Sequence, residues 1–207
     1  YFSAKTPKGK EMLEPFARYA QEWTKEATTV YFDEESIEFE LWNEWNNLGS
    51  WFNYSNLPAE DYADFVKYVY PRVKAVNPNV VQWGMSTIPV DNGWIKKVLD
   101  AGGGAYMDGV SVHPYSMTQA PEYGGNIEKL IELREMLDSY GYEDMPLRAT
   151  EWGWSSVGQN GYPDEIHQAA YFVRMAALCE SYDFFERMDY YKLGTDGLVN
   201  TQEQRFT

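Results

Sequence analysis

The chain has 207 residues, 44% hydrophobic and 17% aromatic, with 17 basic and 32 acidic side chains and a formal net charge of −15. This composition excludes a disordered tail and suffices for one core. The acidic balance repels phosphate backbones and argues against nucleic acid as partner. It fits a neutral or cationic ligand, or an acidic surface that serves solubility.

Cys179 is the single cysteine, so no internal disulfide can form, and its apolar run Ala176-Ala177-Leu178-Cys179 reads as buried and inert. No stretch approaches the roughly 18 apolar residues of a membrane span. The 8 tryptophans and 17 tyrosines fit either a large aromatic core or a surface on which sugar rings stack. The chain opens on Tyr1 and not Met, as expected if its true N-terminus has been removed. Localisation stays open, and a secreted or periplasmic setting is compatible with the sequence.

In chain order the pattern alternates helix and strand. Leu13, Phe16, Ala17, Ala20 and Trp23 share one face at helical spacing, which predicts a helix from about Lys8 to Ala27. Ile37 to Trp42 reads as the first strand. Tyr62, Phe65, Val66, Val69, Val73 and Val76 predict a second helix, with Pro58 near its start and Asn77-Pro78-Asn79 ending it. Val80 to Met85 is the second strand. A short helix through Ile95, Val98 and Leu99 follows Asn92-Gly93 and stops at Gly102-Gly103-Gly104. Gly109 to His113 is the third strand. Ile127, Leu130, Ile131, Arg134 and Leu137 mark the next helix, stopped by Gly141. Leu147 to Thr150 is the fourth strand, Pro163-Asp164 opens a helix reaching about Tyr182, and Met188 to Leu193 is the fifth strand.

Five strands alternating with helices predict an α/β fold with a parallel sheet. No low-complexity linker interrupts it, so residues 1–207 read as one domain. A doubly wound open sheet and part of an eight-stranded barrel both fit this alternation.

Such sheets place functional residues at the C-terminal ends of their strands. The first strand ends in Trp42-Asn43-Glu44-Trp45, and the fourth in Thr150-Glu151-Trp152-Gly153-Trp154. Two glutamates beside tryptophans at separate strand ends are what glycosidic cleavage requires: one carboxyl group to protonate the leaving oxygen and one carboxylate to attack the anomeric carbon. Glu11, Glu22, Glu132 and Glu135 lie within helices and read as solvated charges.

Leu41-Trp42-Asn43-Glu44, Gly109-Val110-Ser111-Val112-His113-Pro114-Tyr115 and Ala149-Thr150-Glu151-Trp152-Gly153 together resemble the fourth, sixth and seventh strands of clan A glycoside hydrolases, closest in style to cellulase-like and β-xylosidase-like members. The resemblance implies a (β/α)8-barrel fold and a retaining mechanism. It implies Glu44 as acid/base, Glu151 as nucleophile, Asn43 as a ligand of the sugar 2-hydroxyl, and Tyr115 as a residue that orients the nucleophile, with His113 lining the same site. Trp42 flanks Glu44, and Trp152 and Trp154 are candidate sugar platforms. The partner is then a carbohydrate substrate, with no cofactor and no metal. The sequence shows no metal-ligand cluster of its own, its two histidines being His113 and the helical His167.

The resemblance covers the fourth to eighth strands, which makes the chain a partial barrel. The family's second-strand arginine and third-strand histidine or asparagine have no counterpart, and Tyr191-Lys192 stands where members often carry an aromatic and an acidic or amide residue. A piece of a longer product is therefore expected, with self-association through open sheet edges as the alternative. A non-catalytic carbohydrate-binding or structural module is the second functional reading. A nucleotide-binding doubly wound fold would need a glycine-rich turn after a strand. Gly102-Gly103-Gly104 instead follows a helix and precedes a strand.

Overall fold

The computed structural model describes residues 6–31, 37–47, 57–156, 160–192, 199–200 and 205–206. In order these form α1 (Pro7–Glu26), β1 (Glu38–Glu40), α2 (Ala59–Val76), β2 (Val81–Thr87), α3 (Asn92–Asp100), β3 (Gly109–Val112), α4 (Asn126–Ser139), β4 (Leu147–Trp152), α5 (Glu165–Ser181), β5 (Arg187–Tyr190), β6 (Val199–Asn200) and β7 (Arg205–Phe206). Strands β1 to β5 follow chain order in one sheet, and β6 and β7 form a separate antiparallel pair. The five-stranded alternation expected from the sequence is present. The β6–β7 pair is not among the expected elements, and Leu193 lies outside the described residues. Among the described residues no helix is long and apolar enough to cross a membrane.

The chain divides into two compact units, one of Tyr1–Thr87 with Gly93–Ser111 and one of Ile88–Asn92 with Val112–Thr207. In the first, α1 starts at Thr6, whose hydroxyl accepts from the Gly9 amide at 3.0 Å. The helix runs on through a π turn at Ala27–Tyr31, where Thr28 and Thr29 donate back to carbonyls four residues earlier, as Thr24 does within α1. Leu13 and Ala17 of α1 and Phe65, Val66, Val69 and Val73 of α2 are all buried. Strand β1 pairs in parallel with β2, Glu38 opposite Val81 and Glu40 opposite Trp83. An apolar groove of about 370 Å³ lies along α1, β1 and α2, walled in part by Phe16, Tyr19, Trp23 and Phe39.

Gly109 has a packing reason. A Cβ there would lie 2.3 Å from the Trp83 ring, whose indole N–H donates to Glu38 at 3.0 Å. Trp83 is 3% exposed and belongs to this core.

In the second unit β4 pairs in parallel with β5, and the register slips between Ala149 and Trp152. Helix α5 is capped by Asp164, which accepts from the His167 amide at 2.9 Å and whose carboxyl is held below its usual range chiefly by that bond. Arg134 on α4 donates to the carbonyls of Met145 and Tyr142 and so ties down the turn before β4. Cys179 is buried, and burial pushes its thiol up to about 12.

Gly109→Ala should displace Trp83 and cost about 1–3 kcal/mol, the usual range for overpacking, read from urea denaturation. The Cys179 thiol stays protonated in the folded chain well past its ordinary value of 9.0. The unfolded chain gives up that proton first, so stability should fall as pH rises from about 9 towards about 12. A Cys179→Ala variant should show a shallower alkaline decline in the same titration.

Candidate active site

The end of β1 leaves the sheet by a turn that keeps hold of β2. The Leu41 amide donates to Trp83 O at 2.7 Å, and the Glu44 amide donates to Ser86 O at 3.0 Å. Between them Trp42 has φ 78° and Glu44 φ 50°, while across the ladder Met85 has φ 78° and Ser86 φ 44°. Left-handed geometry is uncommon for residues with a side chain and costs about 1–3 kcal/mol each, so it persists where the surroundings over-determine it. It explains why β1 is shorter than expected and stops at Glu40.

Glu44 is 5% exposed, and Trp45 behind it is fully buried. Trp42 is half-buried, its ring packed on Phe16, Trp45 and Phe65 at centroid distances of 5.4, 5.6 and 5.9 Å. Asn43, at the same turn, is exposed. Below the turn, Ser86 Oγ donates to Glu40 at 2.9 Å and lies 2.7 Å from Ser111 Oγ.

The end of β4 uses a bulge instead. Glu151 lies inside the slip between Ala149 and Trp152, and such an irregularity re-aims the side chains within it. Glu151 Oε2 accepts from the Tyr115 hydroxyl at 3.0 Å. His113 is completely buried, with Nδ1 3.9 Å from the same oxygen and its ring edge-on to Tyr115. His113, Tyr115 and Glu151, grouped together in the sequence reading, thus stand together. Asn126 fixes the loop that follows them, donating to Pro114 O at 3.0 Å and to Ser116 Oγ at 2.9 Å. Sequence reading passes over it as an ordinary residue opening α4. The available signal was the left-handed Gly125 before it, with φ 70°.

Trp152 and Trp154, the candidate sugar platforms of the sequence reading, are packed among other rings. They are 2% and 4% exposed. Trp152 stacks on Phe172 at 5.1 Å and meets Tyr190 and Trp154 edge-on. Trp154 donates its indole N–H to Gln119 O at 2.9 Å, and its own carbonyl accepts from Gln168 Nε2 at 2.5 Å. Both rings support the strand end. Gln168, which helical pattern reading treats as generic, is 1% exposed and belongs to this support. Between the tryptophans Gly153 has φ 155°, and a Cβ there would lie 2.5 Å from Tyr191 O. Lys192 is exposed, its ammonium 5.8 Å from the Tyr191 ring centre.

No family model matches the sequence, and no curated protein matches it. Solved structures do. A family 39 glycoside hydrolase from the gut symbiont Bacteroides cellulosilyticus WH2 superposes with TM-score 0.73 at 27% identity, over 95% of this chain and 40% of that one. The chain has the fold of clan A glycoside hydrolases. A monomeric β-xylosidase from Caulobacter crescentus CB15 is similar at TM-score 0.73 and 20% identity, over 94% of this chain and 44% of that one. An endo-β-1,4-mannanase double mutant from Cellulomonas fimi is similar at TM-score 0.66 and 19% identity, over 99% and 45%. The glycosidase-like chain is thus an α/β partial barrel that spans less than half the length of the structures it matches.

Gly153→Ala should strain the β4 exit, because the added methyl meets backbone and not a yielding side chain. The expected loss is about 1–3 kcal/mol of stability, measured by thermal denaturation.

Proposed function

We propose that this chain carries the catalytic residues of a retaining glycoside hydrolase, acting on β-glycosidic bonds of a polysaccharide or oligosaccharide by double displacement. The observation that carries the reading is the end of β4: a carboxylate set in a bulge, accepting a tyrosine hydroxyl, with a buried histidine behind it. The fold shared with glycoside hydrolases supports it, and so does the tight turn that seats Glu44 at the end of β1.

In the proposed first step a Glu151 oxygen forms a bond to the anomeric carbon while the glycosidic C–O bond breaks. Glu44 gives its proton to the departing oxygen. In the second step Glu44, now a base, takes a proton from water. The water oxygen bonds the anomeric carbon, and Glu151 leaves as carboxylate with configuration retained. Tyr115 holds one oxygen of Glu151 and so limits its rotation, which favours a near-attack geometry. Asn43 and Trp42 are placed by the motif to meet the sugar, Asn43 at its 2-hydroxyl. The names β-xylosidase and endo-β-1,4-mannanase among the similar structures support a β-linked substrate.

A second reading is a carbohydrate-binding or self-associating module without turnover. Tyr19 and Trp23 on the groove of the first unit, 64% and 43% exposed, offer an apolar contact that favours it. Sedimentation of the 207-residue chain beside an assay for released sugar separates the two readings.

Glu151→Gln should reduce turnover by roughly 10⁴-fold or more, as loss of a nucleophile does. Glu44→Gln should slow natural glycosides far more than activated aryl glycosides, because a good leaving group needs little protonation. Steady-state kinetics on a leaving-group series reads both, and equal losses across the series in Glu44→Gln would remove its role as acid.

A further inference from the structure

We infer that Tyr62, on α2 and outside the proposed site, is a positioning residue whose hydroxyl replaces one rung of the β1–β2 ladder and thereby sets the turn that presents Glu44. The inference deepens the proposed function and rests on Glu44 being the acid/base. The register pairs Glu38 with Val81 and Glu40 with Trp83. The rungs seen on either side of that pairing run from the Val81 amide to Ile37 O at 3.2 Å and from the Leu41 amide to Trp83 O at 2.7 Å. A parallel ladder continued in this register would next join the Met85 amide to Leu41 O.

The structure has a different bond pattern there. The Met85 amide donates to the Tyr62 hydroxyl at 2.8 Å, and that hydroxyl donates to Leu41 O at 2.9 Å. One oxygen is interposed between the two strands, and both backbone groups remain satisfied in a buried setting. Tyr62 is completely buried, and burial pushes its hydroxyl pKa upward, so it stays protonated and able to donate.

The inserted rung sits where both strands leave extended geometry. Met85 itself has φ 78°, and Trp42, next after Leu41, also has φ 78°. The following backbone bond is the one from the Glu44 amide to Ser86 O. A direct rung would draw Met85 towards Leu41 and compete with the left-handed pair Met85-Ser86. The hydroxyl spacer keeps the strands apart at that point and leaves Ser86 O available to Glu44.

Tyr62→Phe keeps the ring and removes the spacer. Val66→Ala, one turn along α2 and buried, serves as a control that weakens packing without touching the ladder. If Tyr62 acts through Glu44, Tyr62→Phe should lower kcat about tenfold or more on glycosides with poor leaving groups, with KM nearly unchanged and a much smaller loss on activated aryl glycosides. Val66→Ala should show no such split. A loss in Tyr62→Phe that is equal across leaving groups, or no loss, overturns the inference.

Amide hydrogen exchange gives a reading that needs no turnover. In Tyr62→Phe the Met85 and Glu44 amides should both exchange about tenfold faster while the α4 and α5 amides hold. Faster exchange at Met85 with Glu44 unchanged would reduce Tyr62 to a local buttress. A parent chain without turnover but with the predicted exchange pattern would defeat the acid/base reading and leave the ladder claim standing.

Discussion

A parallel strand that presents a carboxylate at its end has to leave its ladder without losing its neighbour. In this chain the bond from the Glu44 amide to Ser86 O meets that constraint at the end of β1. The features around it serve the bond or result from it. Trp42 and Glu44 turn left-handed to reach Ser86, and Met85 and Ser86 turn left-handed to offer the carbonyl. The ring cluster of Trp42, Trp45, Tyr62 and Phe65 presses the strained segment into place. Packing of this kind can offset local strain because aromatic side chains bury large areas and interlock in few arrangements.

The end of β4 answers the same demand differently. A register slip replaces the left-handed turn, and a hydrogen bond from Tyr115 replaces the backbone clamp. Glu151 accepts at its carboxylate oxygen, and the Glu44 backbone amide is clamped to Ser86 O.

The alternation of helix and strand was legible because apolar spacing changes from helical to extended period at every junction. Both glutamates stand out in the sequence because they lie at strand ends beside tryptophans. The backbone geometry around them does not. Left-handed backbone at Trp42, Met85 and Ser86 carries no glycine signal. The bulge at Glu151 follows from pairing across β4 and β5, which no local pattern encodes. Tyr62 occupies an apolar position of α2, so periodicity assigns it to the core and is silent about its hydroxyl. Trp152 and Trp154 look like platforms in sequence because position at a strand end is visible there. Their burial against Phe172, Tyr171 and Tyr190 depends on tertiary packing.

The most direct test of the account is to trap the covalent intermediate. The 207-residue chain is incubated with an activated 2-deoxy-2-fluoro β-glycoside, and the labelled peptide is located by mass spectrometry. The account predicts one glycosyl unit per chain, attached to Glu151 and retained longer in Glu44→Gln. A label on another residue, or sugar released with inverted configuration, would contradict it.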